Sequence, residues 1–130
     1  MENSAFGTMC FNTGWETQGM ISLFGKAYPI VIQATSYYES DDVTEAQESA
    51  YIAYRKEEDD ISTSIEDALT NLTKSQDEAI RRFVPAALRF EREGSCALLL
   101  DDNLDAEGGI AVCIFPDGER GNIIDLDAYL

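Results

Sequence analysis

The chain has no histidine at all. That absence removes Ser-His-Asp and Cys-His nucleophile systems in their usual form, together with the commonest zinc ligand. No G-x-S-x-G, Walker A or G-x-G-x-x-G pattern occurs either; "GTMCFNTG" has two glycines but no phosphate-binding logic. Basic residues are scarce, with Lys and Arg totalling 9 against 25 Asp and Glu, for a net charge of −16. Direct phosphate binding needs clustered cations. Arg81, Arg82, Arg89 and Arg92 are the only grouping, and Asp77, Glu78, Glu91 and Glu93 surround them, so a solvated mixed face is expected there.

Long apolar runs are missing as well, and nothing approaches the roughly 20 residues of a membrane span. The opening "MENSAFGTMCFNTGW" lacks a basic n-region, so no secretory signal is expected and a cytoplasmic location is. The 3 cysteines, Cys10, Cys96 and Cys113, form no C-x-x-C pair and leave an odd one over. Each lies in an apolar, strand-like stretch, which predicts reduced and buried thiols.

What is present suits a single domain spanning 1–130, long enough to bury about two thirds of its unfolded surface without disulfide or metal. The acids concentrate in two zones, 39–60 and 94–130, and are interleaved with Tyr, Ile, Leu and Val. That places the charge on folded surface, not in a disordered tail.

Period two dominates the first forty residues. "GTMCFN", "MISLFG" and "AYPIVIQATSYY" read as strands, with Gly25-Lys26 in a tight hairpin and Pro29 at an edge, bulge or strand start. Helical spacing takes over after Tyr38. Asp42-x-x-Glu45 reads as a cap, followed by Val43, Ala46, Ala50 and Ala53/Tyr54 on one narrow face. This helix is expected to run out within "KEEDD", where acids near a C-terminus oppose the macrodipole; alternatively Asp59 and Asp60 open the next helix, where they help. That next helix carries Ile61, Ile65, Leu69 and Leu72, with Thr63 or Ser64 as cap. A third opens at the Ser75–Glu78 capping box and is stopped by Pro85.

From Ala86 the period returns to two: "ALRFERE", the continuously apolar "SCALLLDD", "GIAVCIF", the turn "PDGE" and a final strand in "NIIDLDAYL". Strands segregated from helices predict an α+β fold. It is a mostly antiparallel sheet of about six to seven strands, with two to three helices inserted between the N-terminal and C-terminal strands and packed on one face.

Two stretches bear on function. "DDNLDAEGGIAV" starts like a calcium loop, D-x-N-x-D, but Ala106 stands where that loop needs glycine and Val112 where it needs a bidentate glutamate. Its flanks read as strands, so a β-hairpin turn built from Asp, Asn and Gly is expected, with weak calcium binding or a partner-binding loop as alternatives. In "SYYESDD", Tyr37 and Tyr38 are successive strand residues and should point to opposite faces, one core and one exposed. Tyr51 and Tyr54 carry the same core-or-interface ambiguity. Carboxylate pairs are too numerous to single out an acid/base couple, and no enzyme activity is expected.

The segments "ISLFGKAYPIVI", "AQESAYIAY" and "EGGIAVCIFPDGERGNIIDLDAYL" resemble small bacterial α+β immunity-type proteins of polymorphic toxin and contact-dependent growth inhibition systems. A His is expected before Gly109 in such relatives; Gly108 stands there in this chain. The resemblance implies a cytoplasmic protein that neutralises a cognate toxin by binding it 1:1, without cofactor. An acidic inhibitor of a basic, nuclease-type toxin would also gain association rate from opposite charge. The expected partner-binding residues are Tyr37, Tyr38, Glu39, Asp41, Asp42, Glu57, Glu58, Asp59, Asp60, Asp101, Asp102, Asp105 and Glu107. Alternatives are a DNA mimic that inhibits a DNA-binding enzyme, and a calcium- or small-molecule-binding module.

Overall fold

The computed structural model describes the backbone of residues 1–130 and every side chain except that of Glu107. Strands β1 (Glu2–Asn3) and β2 (Gly7–Thr8) form a small antiparallel ribbon. A seven-stranded sheet follows in strict chain order: β3 (Cys10–Phe11), β4 (Trp15–Leu23), β5 (Lys26–Ala34), β6 (Phe83–Phe90), β7 (Cys96–Asp102), β8 (Asp105–Phe115) and β9 (Ile123–Asp125). All neighbours are antiparallel except β5 and β6, which run parallel from Val31↔Ala87 to Ala34↔Phe90. A parallel pair needs a long crossover. Here the crossover is α1 (Glu45–Lys56), α2 (Glu58–Thr73) and α3 (Gln76–Arg82). The α+β architecture, its mostly antiparallel sheet and the inserted helices are as the periodicities predict.

Alternation sends one set of side chains to the helical face: Ile21 and Leu23 from β4, Ile30 and Ile32 from β5, Leu88 and Phe90 from β6, Leu98 and Leu100 from β7, Val112 and Ile114 from β8. They meet Ile61, Ile65 and Leu69 of α2 and Tyr51 and Tyr54 of α1, all buried. Each large apolar side chain buried this way contributes about 1.5–3 kcal/mol. α2 touches both β4 and β8. Four strand spacings, about 19 Å when flat, exceed a helix diameter of about 10–12 Å, so the sheet must curl around α2.

The C-terminus departs from expectation. "NIIDLDAYL" yields only three strand residues before a short helix, α4 (Leu126–Tyr129). Its Leu126 and Tyr129 cross to the other face of the sheet and cover Ala87, Ala97, Leu99 and Ala111. The small residues there leave the room. A Cβ on Gly109 would lie 2.8 Å from the Leu100 carbonyl and 3.0 Å from Leu126, so only glycine admits this approach.

Other local expectations are corrected. The cap of α1 is Thr44, not Asp42: Gln47 N–H donates to Thr44 Oγ1, and Thr44 N–H donates back to Gln47 Oε1. Glu58, Asp59 and Asp60 belong to the first turn of α2, the favourable end of its dipole. Ser75 caps α3 as expected, but that helix ends at Arg82, and Pro85 sits inside β6 beside a register shift between Pro85 and Ala87. Cys96 and Cys113 are buried, whereas Cys10 is exposed because β3 is an edge strand with only β4 beside it.

Candidate functional site

β5 stops at Ala34, so Tyr37 and Tyr38 are not alternating strand residues. Neither joins the core: they are 88% and 68% exposed. The loop carrying them is nonetheless fixed at many points. Ser36 Oγ donates to Tyr38 O at 2.9 Å, and Asp41 N–H donates to the same carbonyl at 3.0 Å. Trp15 Nε1 donates to Asp41 O at 2.7 Å, and Arg92 Nη1 donates to Asp42 O at 3.0 Å and to Thr35 O at 3.2 Å. Val43 is buried beneath. Two exposed phenols and the carboxylates of Glu39, Asp41 and Asp42 therefore stand on a braced backbone. Beside them lies a polar cavity of about 470 Å³, lined in part by Gln33, Tyr37, Arg89, Glu91 and Arg92.

The second acidic group, Glu57 to Asp60, is the corner between α1 and α2. Glu57 lies 3.5 Å from Arg120, and Glu58 lies 3.3 Å from Arg55. Asp59 and Asp60 are exposed.

The third group is the β7–β8 hairpin, and most of it is architecture. Asp102 is only 9% exposed and accepts from Arg82 Nε and Nη2 at 3.0 and 2.9 Å and from Leu104 N–H at 2.9 Å. As a docking carboxylate it is therefore withdrawn: both oxygens face inward partners. The Arg82 guanidinium holds the Asp102 carboxyl below its usual range, against a smaller opposing effect of burial. Asn103 N–H and Nδ2 donate to the Arg82 and Arg81 carbonyls at 2.7 and 3.0 Å, fastening the turn to the end of α3. Asp101 and Asp105 are exposed; the side chain of Glu107 lies outside the described residues.

These groups do not form one patch. The Tyr37 loop leaves the Ala34/Phe90 end of the sheet, and the Asn103 turn leaves the opposite end, where Phe83 pairs with Asp102. Eight residues of β6 separate them, about 26 Å of strand. Among the described residues no three His, Cys, Asp or Glu side chains are placed to hold a metal ion. Burial pushes the Cys96 and Cys113 thiols up, which works against thiolate chemistry. No helix among the described residues is long and apolar enough to cross a membrane.

The bracing side chains Trp15, Ser36 and Arg92 were not legible as such. Arg92 reads as one charge among neighbours of both signs, and its bonds are to carbonyls far away in sequence. Compared with known proteins, the chain matches no family model, no curated protein and no solved structure.

Proposed function

We propose that the protein is an immunity-type inhibitor that binds a basic, nuclease-type toxin domain 1:1 and masks its substrate site. One observation carries the reading: Tyr37 and Tyr38 stand exposed beside Glu39, Asp41 and Asp42 on a loop whose backbone is already fixed. Tyr supplies large contact area at low entropic cost, and interface energy concentrates in a few such anchors. A loop ordered before binding loses little further freedom on association. The surrounding charge of −16 steers a cationic partner and repels nucleic acid. Glu57 to Asp60 and Asp101, Asp105 extend the attractive field without joining the anchor loop.

Co-expression with a basic toxin domain encoded beside it tests the reading. The expected result is a 1:1 complex that weakens as salt rises and that protects cells from the toxin. Failure to form a salt-sensitive complex, or protection unaffected by Tyr37→Ala with Tyr38→Ala, rejects it.

A further inference from the structure

The two edges of the sheet are finished differently. β9 is three residues long and ends in Asp125, a short and charged edge of the kind that resists further pairing. β4, at the other side, is nine residues long, and β3 covers only its Trp15 and Glu16. From Thr17 to Leu23 no strand among the described residues pairs with its outer edge. Several of the usual protections are missing from this stretch. β4 has no Pro, Lys or Arg, and its register with β5 runs unbroken from Trp15↔Ala34 to Leu23↔Lys26, without a bulge.

The hairpin fixes which groups point outward. Phe24 and Gly25, at φ 53° and 77°, form its two-residue turn, closed by the Leu23↔Lys26 pair. In such a hairpin the closing pair exchanges both bonds, and the pattern then alternates. Leu23, Ile21, Gly19 and Thr17 bond β5, whereas Ser22, Met20 and Gln18 turn their N–H and C=O groups to the free side. Those same three residues are exposed, Met20 by 58%. Alongside runs a cleft of about 110 Å³, lined by Met20, Ser22, Tyr54, Glu58 and Asp59.

We propose that the outer edge of β4, from Gln18 to Ser22, is a strand-addition site for an extended, basic segment of the partner protein. Alternate side chains of an added strand would fall on the helical side, where a Lys or Arg meets Glu58 and Asp59. Glu58 can exchange partners there, because its existing pair with Arg55 is solvent-exposed and such pairs hold weakly. A second copy of this chain is the poorer occupant: it would bring the Glu58 and Asp59 carboxylates of two bodies of charge −16 together beside the same edge. The inference rests on the basic-partner reading and adds the mode of recognition, main-chain pairing with alternate side-chain selection.

The full chain is titrated with a fluorescein-labelled peptide of alternating Lys and Val, with a Glu-Val peptide as control. Tight binding of the basic peptide alone is expected, with slowed amide exchange at Gln18, Met20 and Ser22. Met20→Pro removes one outward donor without touching the β5 ladder, and Asp59→Lys keeps the strand edge while repelling the probe's cations on the helical side. Met20→Pro, by losing a main-chain bond, and Asp59→Lys, by charge repulsion, should each weaken binding by about tenfold or more, with melting midpoints little changed. Wild-type affinity in a folded Met20→Pro or Asp59→Lys protein overturns the proposal, as does absence of binding to wild type. A wild-type dimer that Met20→Pro makes monomeric also overturns it, since the edge then belongs to a second copy. The toxin complex separates the two readings: if it survives Met20→Pro but not Tyr37→Ala with Tyr38→Ala, inhibition stands and strand addition falls.

Discussion

The side-chain amide of Gln47 donates to the main-chain carbonyl of Phe90 at 3.0 Å, and no part of Gln47 reaches solvent. The same nitrogen donates to Thr35 O at 3.0 Å, while Oε1 accepts from Thr44 N–H at 2.9 Å. One residue thus ties the ends of both strands of the parallel pair to the start of the crossover helix. Gln47→Ala takes the acceptor from Thr44 N–H and one donor each from the Phe90 and Thr35 carbonyls, which keep Thr35 N–H and Arg92, and it empties a buried site; this should cost about 1–3 kcal/mol. Urea denaturation checks this. Gln47→Glu, of equal size, should be at least as damaging, because a carboxylate would face two carbonyl oxygens.

The Arg82–Asp102 pair sets an acid limb for stability. Asp102 has a folded-state pKa below its ordinary 3.8, so its contribution is full above that value and is lost as pH falls through the lower one. Melting midpoints should therefore drop below about pH 4, more steeply in wild type than in Asp102→Asn. Arg82→Ala at neutral pH should cost about 1–3 kcal/mol, because it strands the Asp102 carboxylate behind a largely closed surface. Equal acid limbs in wild type and Asp102→Asn would show that the pair is not the source.

Gly109 decides whether α4 can dock. In Gly109→Ala the new methyl meets the Leu100 carbonyl and Leu126, and one must move; overpacking of this kind costs about 1–3 kcal/mol. Relief by displacing α4 should speed amide exchange across residues 126–130 and release Tyr129, which donates to Glu91 at 3.2 Å and lies under Arg89. Exchange unchanged in those residues would mean that β8 itself shifts instead.

How far the sequence foretold this is visible in particular residues. Ile61, Ile65 and Leu69 recur at helical spacing, and all three are essentially fully buried; "SCALLLDD" lacks polar alternation, and β7 is covered on both faces. Such signals are local and repeat several times, so they survive one contrary residue. Single-contact features were not legible. Thr44 displaced Asp42 as a cap because Thr44 Oγ1 also donates to Arg92 O, 48 positions away. Asp102 reads like its neighbour Asp101 until Arg82 is seen beside it. The Tyr37–Tyr38 pair misled for the same reason: alternation predicts opposite faces, but β5 had already ended where Thr35 N–H turns to the Phe90 carbonyl.

Thiol reactivity should divide the cysteines one against two. Cys10 is exposed on β3, whereas Cys96 and Cys113 are buried with thiols pushed up by desolvation. A disulfide reagent at neutral pH should modify one thiol quickly in the folded protein and the other two only in denaturant. Fast reaction of two or more would mean that the β7–β8 ladder opens readily.

The anchor loop makes the sharpest separation between fold and function. Tyr37 and Tyr38 pack against nothing that stability needs, so replacing both by Ala should move the melting midpoint by no more than a surface change does, about 0.5 kcal/mol or less. Binding should respond very differently. Truncating a central aromatic anchor costs about 2 kcal/mol or more in affinity, mainly through faster dissociation. Glu39→Gln, Asp41→Asn and Asp42→Asn together should instead slow association and flatten its salt dependence, because rim charge acts on encounter. Surface plasmon resonance against the proposed toxin partner resolves the two rates. If the tyrosines change only the on-rate, or the carboxylates only the off-rate, the division of roles within the loop is wrong even where the complex itself is real.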